Sequence, residues 1–190
     1  LRMAKALEIS FKKYNPNTEF KIFTDGDFTP YSEGLPNGRK LYPKDFKYPK
    51  LEILSKLNNS GTKYMFLDAD SIVYGDLTPY FNLVNNDELL IEYVYNGENG
   101  WANKHQNQFH LRCEEVGIQN IKPFSINSGF IIWTGKQKCF KKSLNLMNQY
   151  TIQDAKGRKG DEYYLCAAMQ LTNTNIIPLD YNIVKLGKYW

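Results

Sequence analysis

The sequence predicts a single α/β domain with a mainly parallel central sheet flanked by helices, and three observations carry that prediction. Stretches with apolar residues spaced three and four apart alternate along the chain with short apolar runs of strand length, the order expected of βα units. The run Tyr64-Met65-Phe66-Leu67 is unbroken, as suits a parallel strand buried on both faces. With 190 residues, 42% of them hydrophobic and 23% charged, the chain has the size and composition of one domain with its own core.

The elements follow in order. Leu1 to Lys13 reads as a helix because Leu1, Ala4, Leu7 and Phe11 share a face, and Asn15-Pro16-Asn17 ends it. Glu19 to Thr24 alternates like a strand and runs into the turn Asp25-Gly26-Asp27. The segment to Phe46 is rich in glycine, proline and charge and reads as a surface loop. Helical spacing resumes from Pro49 to Leu57 through Leu51, Leu54 and Leu57, closed by Asn59-Ser60-Gly61 before the central strand. Thr78-Pro79 supplies a capping hydroxyl and a first-turn proline for a helix through Val84. Glu88 to Tyr95 is a strand; Asn96 to Asn120 is loop with a short helix around Gln108 to Glu115. Phe124 to Trp133 is a strand interrupted by Asn127-Ser128-Gly129, and Gln137 to Tyr150 a helix with Phe140, Leu144 and Met147 inward. Lys156 to Gly160 forms a basic glycine loop, Asp161 to about Leu171 a helix, and Asn175 to Pro178 a last strand. Internal repeats and linkers are absent, so residues 1–190 read as one domain.

A net charge of +4 favours anionic small molecules over nucleic acid, which calls for a concentrated basic stripe. The 14 tyrosines suit polar clefts of sugar or nucleotide size, although most tyrosines simply keep a hydroxyl at the surface. Cys113, Cys139 and Cys166 are widely spaced and odd in number, which argues against a disulfide framework and for a reducing, cytoplasmic address. The sequon Asn58-Asn59-Ser60 is weak evidence for secretion. No segment has the length of a membrane span.

Chemistry concentrates where the central strand ends. Asp68-Ala69-Asp70 follows its last apolar residue, and strand alternation would send both carboxylates to one side, at the strand end where open α/β sheets keep ligands. Two hard oxygen ligands there can hold Mg²⁺ or Mn²⁺ against a diphosphate. An EF-hand is excluded, because Val73 stands where its glycine belongs and Pro79 at its twelfth position. Asn127-Ser128-Gly129 reads equally as a strand bulge or as a ligand-facing turn. Asp161 and Glu162 fit a helix cap and a first-turn acid. Lys156, Arg158 and Lys159 could close over a diphosphate or form a solvated loop. His105, His110 and Cys113 have a loosely zinc-like spacing without a fourth partner, and Tyr93, Tyr95 and Trp101 could stack on an acceptor or belong to core and rim.

The order FLDADSIVYGDL, FSINSGFIIWTG, GDEYYL and IIPLDYN resembles the nucleotide-sugar glycosyltransferases of GT-A (Rossmann-like) fold, in particular the retaining group that includes glycogenin and bacterial galactosyltransferases. The resemblance runs from about Leu1 to Asn182. It implies a metal-dependent hexosyltransferase that moves a sugar from a nucleotide-sugar donor, UDP-linked, to a carbohydrate or glycoconjugate acceptor. It implies Mn²⁺ or Mg²⁺ on Asp68 and Asp70, with Asp68 also near the donor ribose or sugar. Asn127, Ser128 and Gly129 would face the donor sugar and Lys50 the diphosphate, while Asp161 and Glu162 would act at the sugar hydroxyls and near the anomeric carbon. The chain departs from that group in three ways: the first nucleotide-binding strand is not found before Leu1, no histidine follows His110 where a C-terminal metal ligand belongs, and Glu162 replaces a glutamine.

Two other functions fit parts of the sequence. FLDADSIV also matches the nucleophile motif of haloacid dehalogenase-like phosphatases, with Asp68 as nucleophile and Thr134 and Asp161 as later motifs; about sixty residues of α/β pattern before it weigh against that. A non-catalytic nucleotide-sugar-binding relative is the third reading.

Overall fold

The computed structural model describes residues 2–24, 47–57, 61–93, 111–122, 126–150 and 160–179. Helix α1 (Arg2–Tyr14) forms as its spacing predicts and buries Leu7 and Phe11. Asn15 ends it and ties it to the rest of the chain, its side-chain oxygen accepting the Leu77 amide at 2.8 Å. Residues 19–24, predicted as a strand, are irregular. Alternation alone does not make a strand without a ladder partner, and Phe20 instead packs on Phe11 with ring centroids 5.0 Å apart.

The other elements are α2 (Lys47–Lys56), β1 (Lys63–Leu67), α3 (Thr78–Leu83), β2 (Glu88–Tyr93), β3 (Ile126–Thr134), α4 (Lys138–Gln149), α5 (Asp161–Leu171) and β4 (Asn175–Leu179). Residues 111–115 form a helical turn, which is the described part of the helix expected at 108–115. The proline of α3 falls in its first turn as expected, but the Thr78 hydroxyl is not the cap. The Asp76 carboxylate accepts the Thr78 amide at 2.8 Å instead, and hydrogen bonding from Thr78, its side chain first and its backbone second, holds Asp76 below the usual carboxylate range.

The strands form one four-stranded sheet in the order β1-β3-β2-β4. β3 pairs antiparallel with both β1 and β2, and only β2 and β4 pair parallel. The mainly parallel, Rossmann-like sheet expected from the sequence is therefore corrected to a mixed, mostly antiparallel one. The pairings explain why the pattern misled. β1, β2 and β4 all run in one direction, as alternation with helices suggests, but β3 runs against them and inserts between β1 and β2. Among the described strands β1 consequently lies at the edge, and Tyr64 to Leu67 are half-buried rather than enclosed on both faces.

Helices cover both faces of the sheet. Leu89, Ile91, Ile131 and Trp133 meet Leu51 and Leu54 of α2, Phe140 of α4 and Leu165 of α5 in the larger core. Leu90, Phe130, Ile132 and Leu179 form the opposite face with Val84, against Tyr80 and Phe81 of α3. Trp133 anchors the first core: its indole N–H donates to the Leu57 carbonyl at 3.0 Å, and its ring packs against Tyr64 and Phe140 at 5.2 and 5.1 Å. None of the described helices is long and apolar enough to cross a membrane.

Trp133→Ala is expected to cost about 3–5 kcal/mol in urea unfolding, because it leaves a large cavity and an unpaired carbonyl. Ile9→Ala, on the exposed side of α1, is expected to stay within about 0.5 kcal/mol of the parent.

Candidate functional site

The polar residues gather where β1 and β2 end and β3 begins. At the end of β1, the Asp68 amide donates to the Gly129 carbonyl at 2.9 Å, so the acid is held against the first half of β3. Gly129 sits in a close approach: a Cβ on it would stand 3.0 Å from Asn127 Oδ1 and 3.1 Å from Asp68 Oδ2, so those two side chains would have to give way to a larger residue. Asn127 Oδ1 accepts the Gly129 amide at 2.8 Å and folds the turn onto itself.

Lys50 is the centre of the arrangement. Its ammonium lies 3.0 Å from Asp68 Oδ1, 3.0 Å from Asp161 Oδ2 and 2.9 Å from Ser128 Oγ, and 5.0 Å above the Phe66 ring. Ser128 Oγ in turn donates to Asp161 Oδ2 at 2.7 Å. Four elements, α2, β3, α5 and the end of β1, thus meet on one cation. The Lys50 and Asp161 side chains are 11% exposed, whereas that of Asp68 is 41% exposed and carries the cluster to solvent.

The charges follow from this geometry. Burial opposes the Lys50 ammonium, but the Asp161 and Asp68 carboxylates together outweigh it and raise its pKa, so Lys50 stays protonated. Lys50 therefore acts as a fixed positive charge and not as an amine nucleophile. At Asp68, burial raises the pKa more than Lys50 lowers it, and the neighbouring charges of Asp161 and Asp70 add to the rise.

Asp161 and Glu162 occupy the first turn of α5, where the helix dipole favours acids. The expected capping role is corrected: Gly160 is the N-cap and no side chain caps it. Asp161 is spent on Lys50 and Ser128 instead. The Glu162 Oε1 atom accepts the Ser128 amide at 3.4 Å.

Of the residues singled out from sequence, Lys50, Asp68, Asn127, Ser128, Gly129, Asp161 and Glu162 come together. Asp70 does not follow the strand argument that paired it with Asp68. The strand ends at Leu67, and residues 69 and 70 form an exposed turn closed by the Ser71 amide on the Asp68 carbonyl at 3.0 Å. Lys156, Arg158, Lys159, His105, His110, Tyr95, Trp101 and the side chain of Tyr93 lie outside the described residues. Cys113 is buried, with its thiol pushed up to about 12 chiefly by that burial. One residue was missed. Glu92 is the acid that breaks the apolar run Leu89-Leu90-Ile91; it is fully buried, with neither carboxylate oxygen hydrogen-bonded.

No protein-family model matches the chain, and no curated protein matches it in sequence. The resemblance to GT-A glycosyltransferases of the glycogenin and bacterial galactosyltransferase group is corrected accordingly, since the sheet is mixed and no relative supports it. The metal-dependent hexosyltransferase reading falls on the same topology. It falls also because no group of three or more His, Cys, Asp or Glu among the described residues could hold a metal ion, so the Asp68-Ala69-Asp70 motif is not a preformed manganese centre. A non-catalytic nucleotide-sugar-binding relative of that family is overturned with it. The phosphatase alternative fails on register: Thr134 pairs with Lys63 while Phe130 pairs with Leu67, which puts Thr134 about 13 Å along the sheet from the Asp68 end.

Lys50→Met is expected to destabilise the protein by about 3–5 kcal/mol, because it leaves the buried Asp161 carboxylate without its cation. Lys12→Met, on exposed α1, is expected to change little. Urea unfolding of both variants checks the contrast.

Proposed function

We propose that the end of the sheet around Lys50 binds a phosphorylated, hydroxyl-rich small molecule. The observation that carries this reading is the convergence of Lys50, Asp68, Ser128 and Asp161 from four elements on a spot that Asp68 opens to water. Carboxylates and a serine hydroxyl suit sugar hydroxyls, and a fixed ammonium suits phosphate oxygens. A UDP-linked nucleotide sugar is one ligand of that description. Mn²⁺ or Mg²⁺ enters the proposal only together with the ligand: such ions take one or two carboxylates and complete their shell with phosphate oxygens and water. Asp68 and the exposed Asp70 would be those carboxylates.

The competing reading is a purely structural ion network that fastens α2 and α5 to the sheet. The exposure of Asp68 favours the binding reading, because it opens one member of the network to water, and the charge of the exposed Asp70 is felt at Asp68. The three buried, free cysteines support the proposed reducing, cytoplasmic address.

Calorimetric titration of UDP and of inorganic pyrophosphate, each with and without Mn²⁺, tests the proposal. UDP is expected to bind in the presence of Mn²⁺, and Asp70→Asn to weaken it by at least about tenfold, or 1.4 kcal/mol, without changing the melting temperature. Absence of binding by either compound under both conditions would leave the structural network as the answer.

A further inference from the structure

Glu92 stands at the break in the β2–β3 ladder. Ile91 pairs with Ile131, but the next residue, Glu92, pairs with Asn127, so residues 128–130 of β3 lie opposite the single step between Ile91 and Glu92. That displaced segment contains Ser128 and Gly129, the two residues that contact Lys50, Asp161 and Asp68. The position of Glu92 therefore bears directly on how the segment is held.

Among the described residues, the surroundings of Glu92 offer its carboxylate no help. β4 presents Leu179 beside it, and β3 presents uncharged Asn127. From α5 comes the charge of Glu162, the same side chain that accepts the Ser128 amide, with Asp161 next to it committed to Lys50. On β2 itself, Glu88 lies at the far end of the strand. Lys50 is held by Asp68 and Asp161 and does not reach Glu92. A buried carboxylate without a partner is costly, and the usual escape is to keep its proton. Burial, followed by the Glu162 charge, raises the Glu92 pKa to about 7.

We propose that Glu92 is a positioning residue that works as a proton switch beneath the cleft: neutral, it leaves Glu162 on the Ser128 amide, and ionised, it repels Glu162 and loosens Ser128 and Gly129 from Lys50 and Asp68. The step is a loss of one proton from the Glu92 carboxyl to solvent. Its consequence for ligands rests on the binding function proposed above, but the switch itself does not.

The direction of the pH effect follows from the two states. The folded protein keeps the Glu92 proton up to about pH 7, against 4.5 for an unperturbed glutamate. Between those values the folded state binds more protons than the unfolded one, so the contribution of Glu92 to stability declines as pH rises through that window and levels off above it.

The test uses the ligand-free chain. The backbone amide NMR signals of Ser128 and Gly129 are expected to titrate together with a midpoint near pH 7, to stop titrating in Glu92→Gln, and to lose most of that response in Glu162→Gln, which leaves Glu92 no charge to repel. The melting temperature of the parent relative to Glu92→Gln is expected to fall as pH rises from 4.5 to 7. Amides that titrate unchanged in Glu92→Gln, or do not titrate at all, would overturn the proposal. If Glu92→Gln does not fold, an undiminished response in Glu162→Gln overturns it alone. Binding of UDP with Mn²⁺ should then be several-fold tighter at pH 6 than at pH 8 in the parent, and independent of pH in Glu92→Gln. Titrating amides with no UDP binding at any pH would uphold the switch and remove the binding function.

Discussion

One buried ammonium constrains the rest of this structure. Lys50 leaves α2 inside the protein and must find compensation there, because a desolvated charge is tolerated only when paired and hydrogen-bonded. Asp161, Asp68 and Ser128 supply it, each from a different part of the chain. That need ties α5 to β3 through Asp161 and Ser128, and the end of β1 to the same cation through Asp68, with residue 129 in close contact with Asp68. The apolar faces of α2, α4 and α5 provide the bulk of the burial, but they could slide; the ion cluster cannot.

The sheet topology makes the cluster possible. Because β3 runs antiparallel to both neighbours, its first residues lie beside the last residues of β1 and β2. A parallel strand in the same place would have brought its final residues there instead, and Asn127-Ser128-Gly129 would sit at the opposite end of the sheet. The break in the β2–β3 ladder then delivers Ser128 toward α5 and leaves Glu92 enclosed beside Glu162. Binding surface and buried acid are two consequences of the same irregularity.

Much of this was legible in the sequence. The helices near 2–14 and 138–149 carry clear spacing, the one at 161–171 is buried nearly all round, and the short apolar runs located each described strand of the sheet. Direction was not legible. β1, β2 and β4 share one orientation, so alternation with helices was a true signal, but nothing in residues 126–134 announces that this strand runs against them. The segment at 19–24 alternates well yet is not a strand, and periodicity cannot report ladder pairing. Asp68, the Asn127-Ser128-Gly129 turn and the Asp161-Glu162 pair stand out by residue type, Lys50 only through the resemblance, and Asp70 is misplaced by assuming that the strand continues past Leu67. Glu92 was missed because one acid inside an apolar run reads as ordinary alternation until the burial of both of its sides is known.

A double-mutant cycle between Lys50 and Asp161 reaches the central claim most directly. Lys50→Met, Asp161→Asn and the double variant would be compared by urea unfolding at neutral pH. If the Lys50 cluster holds the elements together as described, the two losses will couple by about 1.5–3 kcal/mol, with the double variant far less damaged than the sum of the singles. Losses that add to within about 0.5 kcal/mol would mean that Lys50 and Asp161 act independently, and that packing alone sets the architecture.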